Sequence, residues 1–172
     1  VLDNIRRSAE AYGRVFAVQY DISDYQGPSV VKDIQNDWMA LVDSEKVTAS
    51  PAYLRHKGRP LLVLRNFGMS GGKRLITPAE AAELIKWFKT DVPERYRVTV
   101  MGALPGYWRT QGSDVKRDPG WPAVFRSFDV VSAWPVGRFR DEAGARKWME
   151  NVVIPDLKEC ARIGIDYIVF SF

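Results

Sequence analysis

The chain has 172 residues, 46% of them hydrophobic and 27% charged, and contains no low-complexity tract. That describes a globular domain able to bury a core of its own and excludes an intrinsically disordered segment. Twenty-five Lys plus Arg against 21 Asp plus Glu leave a net charge of +4, and the basic residues (Arg6, Arg7, Lys73, Arg74, Lys116, Arg117, Arg138, Arg140) are scattered. A nucleic-acid surface would gather them on one face, so no nucleic-acid partner is expected.

Cys160 is the sole cysteine, which rules out an intrachain disulfide and any cysteine-based zinc site. Apolar runs such as residues 61–64 are too short to span a bilayer. The opening residues, Val1 to Ile5, carry no basic stretch followed by an apolar one, so they do not read as a signal peptide. They read as the start of a helix without an initiating Met. An exported precursor that has lost its signal and a chain that begins within a domain both fit.

In chain order, residues 3–12 form the first helix, with Ile5, Ala9 and Tyr12 on one face and Gly13 as its stop. Residues 14–20 (RVFAVQY) form the first strand. A second helix surrounds Trp38, Leu41 and Val42. The segment 55–58 (RHKG) is a polar turn, which puts His56, the only histidine, in a surface loop. Residues 60–66 (PLLVLRN) are the second strand. The loop from Gly68 to Lys73 is only superficially phosphate-binding, because it lacks the Lys-Ser/Thr ending, and its glycines serve a turn. Thr77-Pro78-Ala79-Glu80 is a capping box that opens a third helix burying Leu84, Ile85, Trp87 and Phe88.

Residues 97–104 (RVTVMGAL) are the third strand, and a short helix follows Trp121-Pro122. Residues 128–134 (FDVVSAW) are the fourth strand, with Asp129 bracing its start. The last helix covers about 141–163, restarts at Pro155 and ends at Gly164. Residues 166–170 (DYIVF) close the series as the fifth strand. These strands are apolar throughout rather than alternating, as parallel strands covered on both faces are. Strand and helix alternate, so the fold class is α/β, with consecutive parallel βα units. An open doubly wound sheet and a closed barrel both fit that order. No Gly-x-Gly-x-x-Gly follows the first strand and no Walker loop is present.

Parallel α/β folds work at the C-terminal ends of their strands. Here those ends present Gln19-Tyr20-Asp21 with Ser23, Asp24 and Tyr25; then Arg65-Asn66-Phe67; then Tyr107-Trp108-Arg109; then Trp134 and Arg138; and last Phe170-Ser171-Phe172. Aromatic rings beside carboxylates, amides and guanidiniums suit sugars, whose C–H faces stack on rings and whose hydroxyls need paired polar groups. The candidate substrate-binding set is Tyr20, Asp21, Asp24, Arg65, Asn66, Tyr107, Trp108, Arg109, Trp134 and Arg138. Trp108, beyond a Pro-Gly turn, is expected on the surface, so Trp108→Ala should weaken sugar binding and leave melting temperature nearly unchanged. One His and one Cys exclude the usual nucleophilic triads and most zinc sites. No metal or cofactor is expected.

The stretches 13–21, Asp37-Trp38, 53–60, Met101-Gly102, Trp108-Arg109, 128–138 and 164–167 together resemble the glycoside hydrolase 71/99-like superfamily. That superfamily includes endo-α-mannosidases and fungal α-1,3-glucanases, and the likeness is greatest to bacterial proteins labelled xylosidase/arabinosidase. The resemblance covers nearly the whole chain. It implies a (β/α)₈ barrel of the TIM type, of which residues 1–172 would be a single partial domain with about five strands. It also implies action on α-linked glycans outside the cytoplasm, either extracellular or periplasmic. The paired catalytic glutamates of the family, three residues apart, lie on a later strand beyond the position matching Phe172, and no Glu-x-x-Glu stands at a strand end here. Glycosidases place two carboxylates about 5–9.5 Å apart, whereas Asp21 and Asp24 share one loop. The expectation is therefore a glycoside-hydrolase-like protein that acts on or binds an α-linked glycan. Its alternatives are a non-catalytic carbohydrate-binding module and an inactive barrel fragment. Catalytic residues stay unassigned. A five-stranded sheet keeps open edges, so self-association is expected if the chain is complete.

Overall fold

The computed structural model describes residues 1–71 and 76–169. Helix α1 is Leu2–Ala11 and strand β1 is Val18–Asp21. Helix α2, Val30–Asp43, is capped by Ser29, whose side chain accepts from the Lys32 amide. A hairpin follows: β2, Arg55–His56, turns back on β3, Arg59–Arg65. Its two-residue turn holds Lys57 at φ 49° and Gly58 at φ 83°, left-handed geometry that suits the twist of a tight hairpin. The RHKG segment is thus a hairpin rather than a simple turn, and His56 is not a free surface residue. Its Nε2 lies 2.7 Å from the Asp166 carboxylate.

Helix α3, Pro78–Lys86, starts with the full reciprocal capping box of Thr77 and Glu80. One π-helical turn, Trp87–Asp91, ends it. Strand β4 is Thr99–Leu104, α4 is Trp121–Phe125 and β5 is Val130–Ala133. The long terminal helix resolves into α5, Glu142–Trp148, a π-helical turn, Met149–Val153, and α6, Ile154–Ile163. The π turn sits just before Pro155, which removes an amide donor from the ladder and forces the wider turn. Gly164, at φ 76°, ends α6, and β6 is Asp166–Tyr167. Beyond Val169 the expected fifth strand lies outside the described residues.

The sheet order is β1-β3-β4-β5-β6, every neighbouring pair parallel, with β2 attached to β3 antiparallel. The order never reverses. With right-handed crossovers throughout, that puts every helix on one face of the sheet, as in a barrel wall, and excludes the doubly wound alternative. The chain is a run of consecutive βα units of a TIM-type (β/α) barrel.

Register assigns the two faces. Leu62 and Val100 stand level, as do Leu64, Gly102 and Val131. The large side chains of those rows are fully buried under the helices. The core there also takes Trp38, Trp121, Phe88, Phe125 and Phe128. Side chains alternate along a strand, so Gln19, Val63 and Met101 form one row on the opposite face. Asp21, Arg65, Ala103 and Ser132 form the next, toward the C-terminal ends. Gln19 is exposed there, and Val63, Met101 and Ala103 are half-buried. This is the concave, inner face. At the opposite end Asp129 accepts from the Val100 amide at 2.9 Å and pairs with Lys89 at 2.7 Å, bracing the bottom of the sheet as expected.

Candidate functional site

The inner face ends in a polar cluster where β1, β3 and β5 finish. Asp21 is its centre. Its Oδ1 accepts from the Ser23 amide at 2.9 Å, the Ser23 hydroxyl at 2.6 Å and the Asn66 amide group at 2.6 Å. Arg65 Nη1 stands 3.4 Å from Oδ2. Burial works to raise the pKa of Asp21, but the bonds from Ser23 and Asn66 and the Arg65 charge outweigh it and hold the carboxyl below its ordinary value. Asn66 takes a left-handed φ of 68°, which turns its side chain back onto Asp21 and the Ser23 hydroxyl. Asn tolerates this conformation better than most residues.

Arg65 reaches across β4. Its guanidinium carbon lies 4.1 Å from the centroid of the Trp134 ring, two strands away. On the intervening strand, Ala103 stands level with Arg65 and with Ser132, two residues before Trp134. Asp21, Arg65, Asn66 and Trp134, four of the ten predicted residues, are thereby brought into one half-exposed rim. The cluster combines a charged acceptor, an amide, a guanidinium and an indole, and it holds one carboxylate, Asp21. It can bind a hydroxyl-rich ligand but cannot by itself supply the acid and base of a two-carboxylate hydrolysis.

The other predicted residues are engaged with partners outside that cluster. Tyr20 belongs to the helix-covered face, and its hydroxyl donates to Asp37 of α2 at 2.7 Å. Burial, followed by Asp37, raises its pKa strongly, so it is a phenol holding α2 to the sheet rather than a rim group. Asp24 is exposed on the next turn and takes no part in the cluster.

Trp108 is the clearest correction: it is 0% exposed. Its indole N–H donates to Asp156 Oδ2 at 2.8 Å, and Arg109 Nε donates to Asp156 Oδ1 at 2.7 Å. Both residues clamp the loop after β4 onto α6, and the buried Trp108 indole is closed to a ligand. Tyr107 packs edge-on against Trp148, with centroids 5.7 Å apart. Arg138 pairs with the buried Asp114 and lies over the Tyr107 ring. Phe170, Ser171 and Phe172 lie outside the described residues.

Two buried acids organise this second network and were not singled out from the sequence. Asp114 accepts from the amides of Gly106 at 2.6 Å and Tyr107 at 3.2 Å as well as from Arg138. Asp156 is 1% exposed, and desolvation raises its carboxyl even though Arg109 and Trp108 pull the other way. In sequence Asp114 sits in an ordinary polar loop and Asp156 looks like a first-turn acid after Pro155, so neither carries a local signal of burial.

The glycine loop after β3 is structural. Gly68 has φ 70°, and a Cβ there would fall 2.6 Å from the Phe125 ring. Its carbonyl accepts from the Lys116 amide at 2.9 Å. Gly72 and Lys73 lie outside the described residues. Among the described residues there is no group of three or more His, Cys, Asp or Glu that could hold a metal ion, and no helix is long and apolar enough to cross a membrane.

No protein-family model and no curated protein matches the chain. Among solved structures it is similar to the GH99 endo-α-mannosidase from Bacteroides thetaiotaomicron, at a TM-score of 0.64 and 16% identity over 98% of this chain and 43% of that one. The same enzyme in complex with bis-tris propane matches with the same TM-score and identity, covering 98% of this chain and 45% of the enzyme's. The chain thus spans less than half the length of these enzymes. At this identity the likeness shows the fold: a GH99-like barrel, of which this chain is a consecutive part.

Proposed function

We propose that this chain forms part of the glycan-binding cleft of a glycoside-hydrolase-like barrel that takes α-linked oligosaccharides or polysaccharides outside the cytoplasm. One observation carries the reading. At the C-terminal ends of parallel strands, the place where such folds bind ligands, Arg65 lies on Trp134 beside the Asp21–Asn66 pair. Indole and guanidinium form a flat platform for a C–H ring face, and Asp21 and Asn66 accept and donate to hydroxyls. The solved structures similar to this chain include an endo-α-mannosidase, which supports an α-linked glycan as the ligand.

The rim carries one carboxylate, so the 172-residue chain binds without cutting. Hydrolysis belongs to the barrel only where further chain supplies paired carboxylates. The test is calorimetric titration of the chain with α-mannan and α-glucan oligosaccharides, alongside an assay for released reducing ends. Saturable binding that Trp134→Ala removes, without release of sugar, is the expected outcome. Heat-silent titrations with both glycan classes, at millimolar ligand, would reject the binding role and leave an inactive barrel scaffold.

A further inference from the structure

We infer that the Arg109–Asp156 pair is an acid-released tether: protonation of Asp156 frees the turn 109–112 in the loop after β4 while the rest of the chain stays folded. The first ground is how that loop is fastened. Both of its ends are fixed. At the start, Asp114 accepts from the amides of Gly106 at 2.6 Å and Tyr107 at 3.2 Å. At the far end, the Lys116 amide donates to the Gly68 carbonyl at 2.9 Å. Among the described residues, the turn between them makes one hydrogen bond outside its own loop, from Arg109 Nε to Asp156 Oδ1 of α6 at 2.7 Å. The turn is also strained, because Gln111 has φ 58°, in the left-handed region that side chains disfavour. A loop pinned at both ends and strained in the middle opens where its outside contact fails.

The second ground is the place of the carboxylate. Asp156 is buried within this chain alone, so its charge persists there only through its partners. The Trp108 indole N–H and Arg109 are two of them, and the Tyr167 hydroxyl of β6 adds to their hold. Desolvation outweighs all three and lifts the carboxyl above its ordinary value of 3.8. A carboxyl raised by folding takes its proton at a higher pH in the folded chain than in the unfolded one, so protonation favours the folded state. The neutral acid keeps a carbonyl oxygen for the Trp108 indole but no charge for Arg109, which stays cationic. Arg109 is partly exposed already and moves into water, while Trp108 remains in the core.

The third ground is the chemistry of the neighbours. Cys160 of α6 and Tyr167 of β6 face the same carboxylate. Burial, followed by Asp156 and Glu159, pushes the thiol up to about 12, and burial followed by Asp156 raises the phenol, so both stay neutral in acid. Asp166, at the start of β6, is held below its ordinary value by Lys57 and then His56. Arg126 lies beside the Trp108 ring and is bound to Glu159, whose carboxyl Arg162 brings down to about 2. The charge that Arg109 answers to is therefore that of Asp156 itself. The inference does not depend on what the rim binds.

The experiment uses the 172-residue chain. Hydrogen exchange of backbone amides is followed from pH 7 to pH 4 and corrected for the intrinsic rate at each pH. The amides of Gly112 and Val115 donate to the carbonyls of Tyr107 and Gly112. They should become roughly tenfold less protected as pH falls, the scale of losing one charge-assisted hydrogen bond. The Trp134 amide, bonded to Leu104 of β4, should not change. Asp156→Asn removes the charge and should leave both loop amides fast already at pH 7. If that variant fails to fold, Arg109→Gln, which alters the partly exposed end of the pair, should do the same. Loop protection that is flat across the range would overturn the inference. So would Trp134 losing protection in step with the loop, an acid step that survives in Asp156→Asn, or an Arg109→Gln loop as protected as the parent's at pH 7.

Discussion

The Arg65 guanidinium lies 4.1 Å from the Trp134 ring centre although β3 and β5 are not neighbours. The strand between them contributes Ala103, level with Arg65 and with Ser132, two residues before Trp134, and its small methyl group leaves room for the arginine side chain to cross. The contact therefore depends on a third residue that touches no ligand. Ala103→Leu should lift Arg65 off the indole and weaken glycan binding by about two- to fivefold, as removing a partly exposed cation–π contact of about 0.5–1 kcal/mol would. Titration calorimetry with an α-linked oligosaccharide measures it. Binding equal to the parent's would show that the platform does not need the arginine.

Asp21 makes the rim's pH response specific. Its pKa lies below the ordinary value of 3.8 because the bonds from Ser23 and Asn66 and the Arg65 charge outweigh burial. Binding that uses the charged form should persist as pH falls to that value and fail only below it. Asn66→Ala removes one of the lowering bonds, so the pH at which binding is lost should move upward. Affinity measured across pH 3–6 checks the direction, and an unchanged or lowered midpoint in Asn66→Ala would exclude Asp21 as the group being titrated.

Trp108→Ala should cost about 3–5 kcal/mol of stability, the range for removing a fully buried large aromatic. Trp108→Phe fills most of the volume but takes a donor from the buried Asp156, at about 1–3 kcal/mol. Urea denaturation should therefore rank parent, Phe variant and Ala variant in that order. Affinity of the folded fraction for sugar should not change. This is the reverse of what the position of Trp108 after a Pro-Gly turn leads one to expect.

The contrast between Arg65 and Trp108 shows what local sequence can carry. Arg65-Asn66 directly follows the apolar run of β3, and a charge ending such a run must be paired or face a wet cavity; it is paired with Asp21 at the edge of the open face. Trp108 is buried in the core and held by Asp156, 48 residues on, and no nearby residue announces it. The start of α3, the restart near Pro155 and the end of α6 were legible, because Thr77, Glu80, Pro155 and Gly164 act through their own backbone neighbours. The second helix, by contrast, was placed only around Trp38, Leu41 and Val42 and begins at Val30. Strand limits were less so. Residues 14–17 are as apolar as β1, but only Phe16 finds a partner, in a single bridge to Tyr53. Pairing is set by the neighbour's extent, not by the strand's own composition.

The capping box can be tested without the rim. Thr77 Oγ1 accepts from the Glu80 amide at 3.2 Å, and Glu80 accepts from the Thr77 amide at 2.9 Å. Thr77→Ala should lower stability by about 0.5–2 kcal/mol, read from the urea midpoint, whereas Thr77→Ser should stay close to the parent. Equal losses in both variants would mean that the Thr77 methyl group, rather than its hydroxyl, does the stabilising.

Glu159 supplies the acid limb of stability. It accepts from Arg162 Nε at 2.9 Å and from Arg126 Nε at 3.0 Å, tying α6 to the end of α4. The Arg162 bond, helped by Arg126 and opposed by burial, brings its pKa from 4.5 down to about 2. A carboxyl depressed in the folded state stabilises fully above its unfolded value and loses that contribution as pH falls through the folded one. The melting temperature of the parent should therefore exceed that of Glu159→Gln above pH 4.5, with the gap narrowing steadily and closing near pH 2. Salt at 1 M should shrink the gap at neutral pH, because screening at about 3 Å weakens a partly exposed pair. A gap that is constant from pH 6 to pH 2 would mean that Glu159 acts through packing or neutral hydrogen bonds, not through its charge.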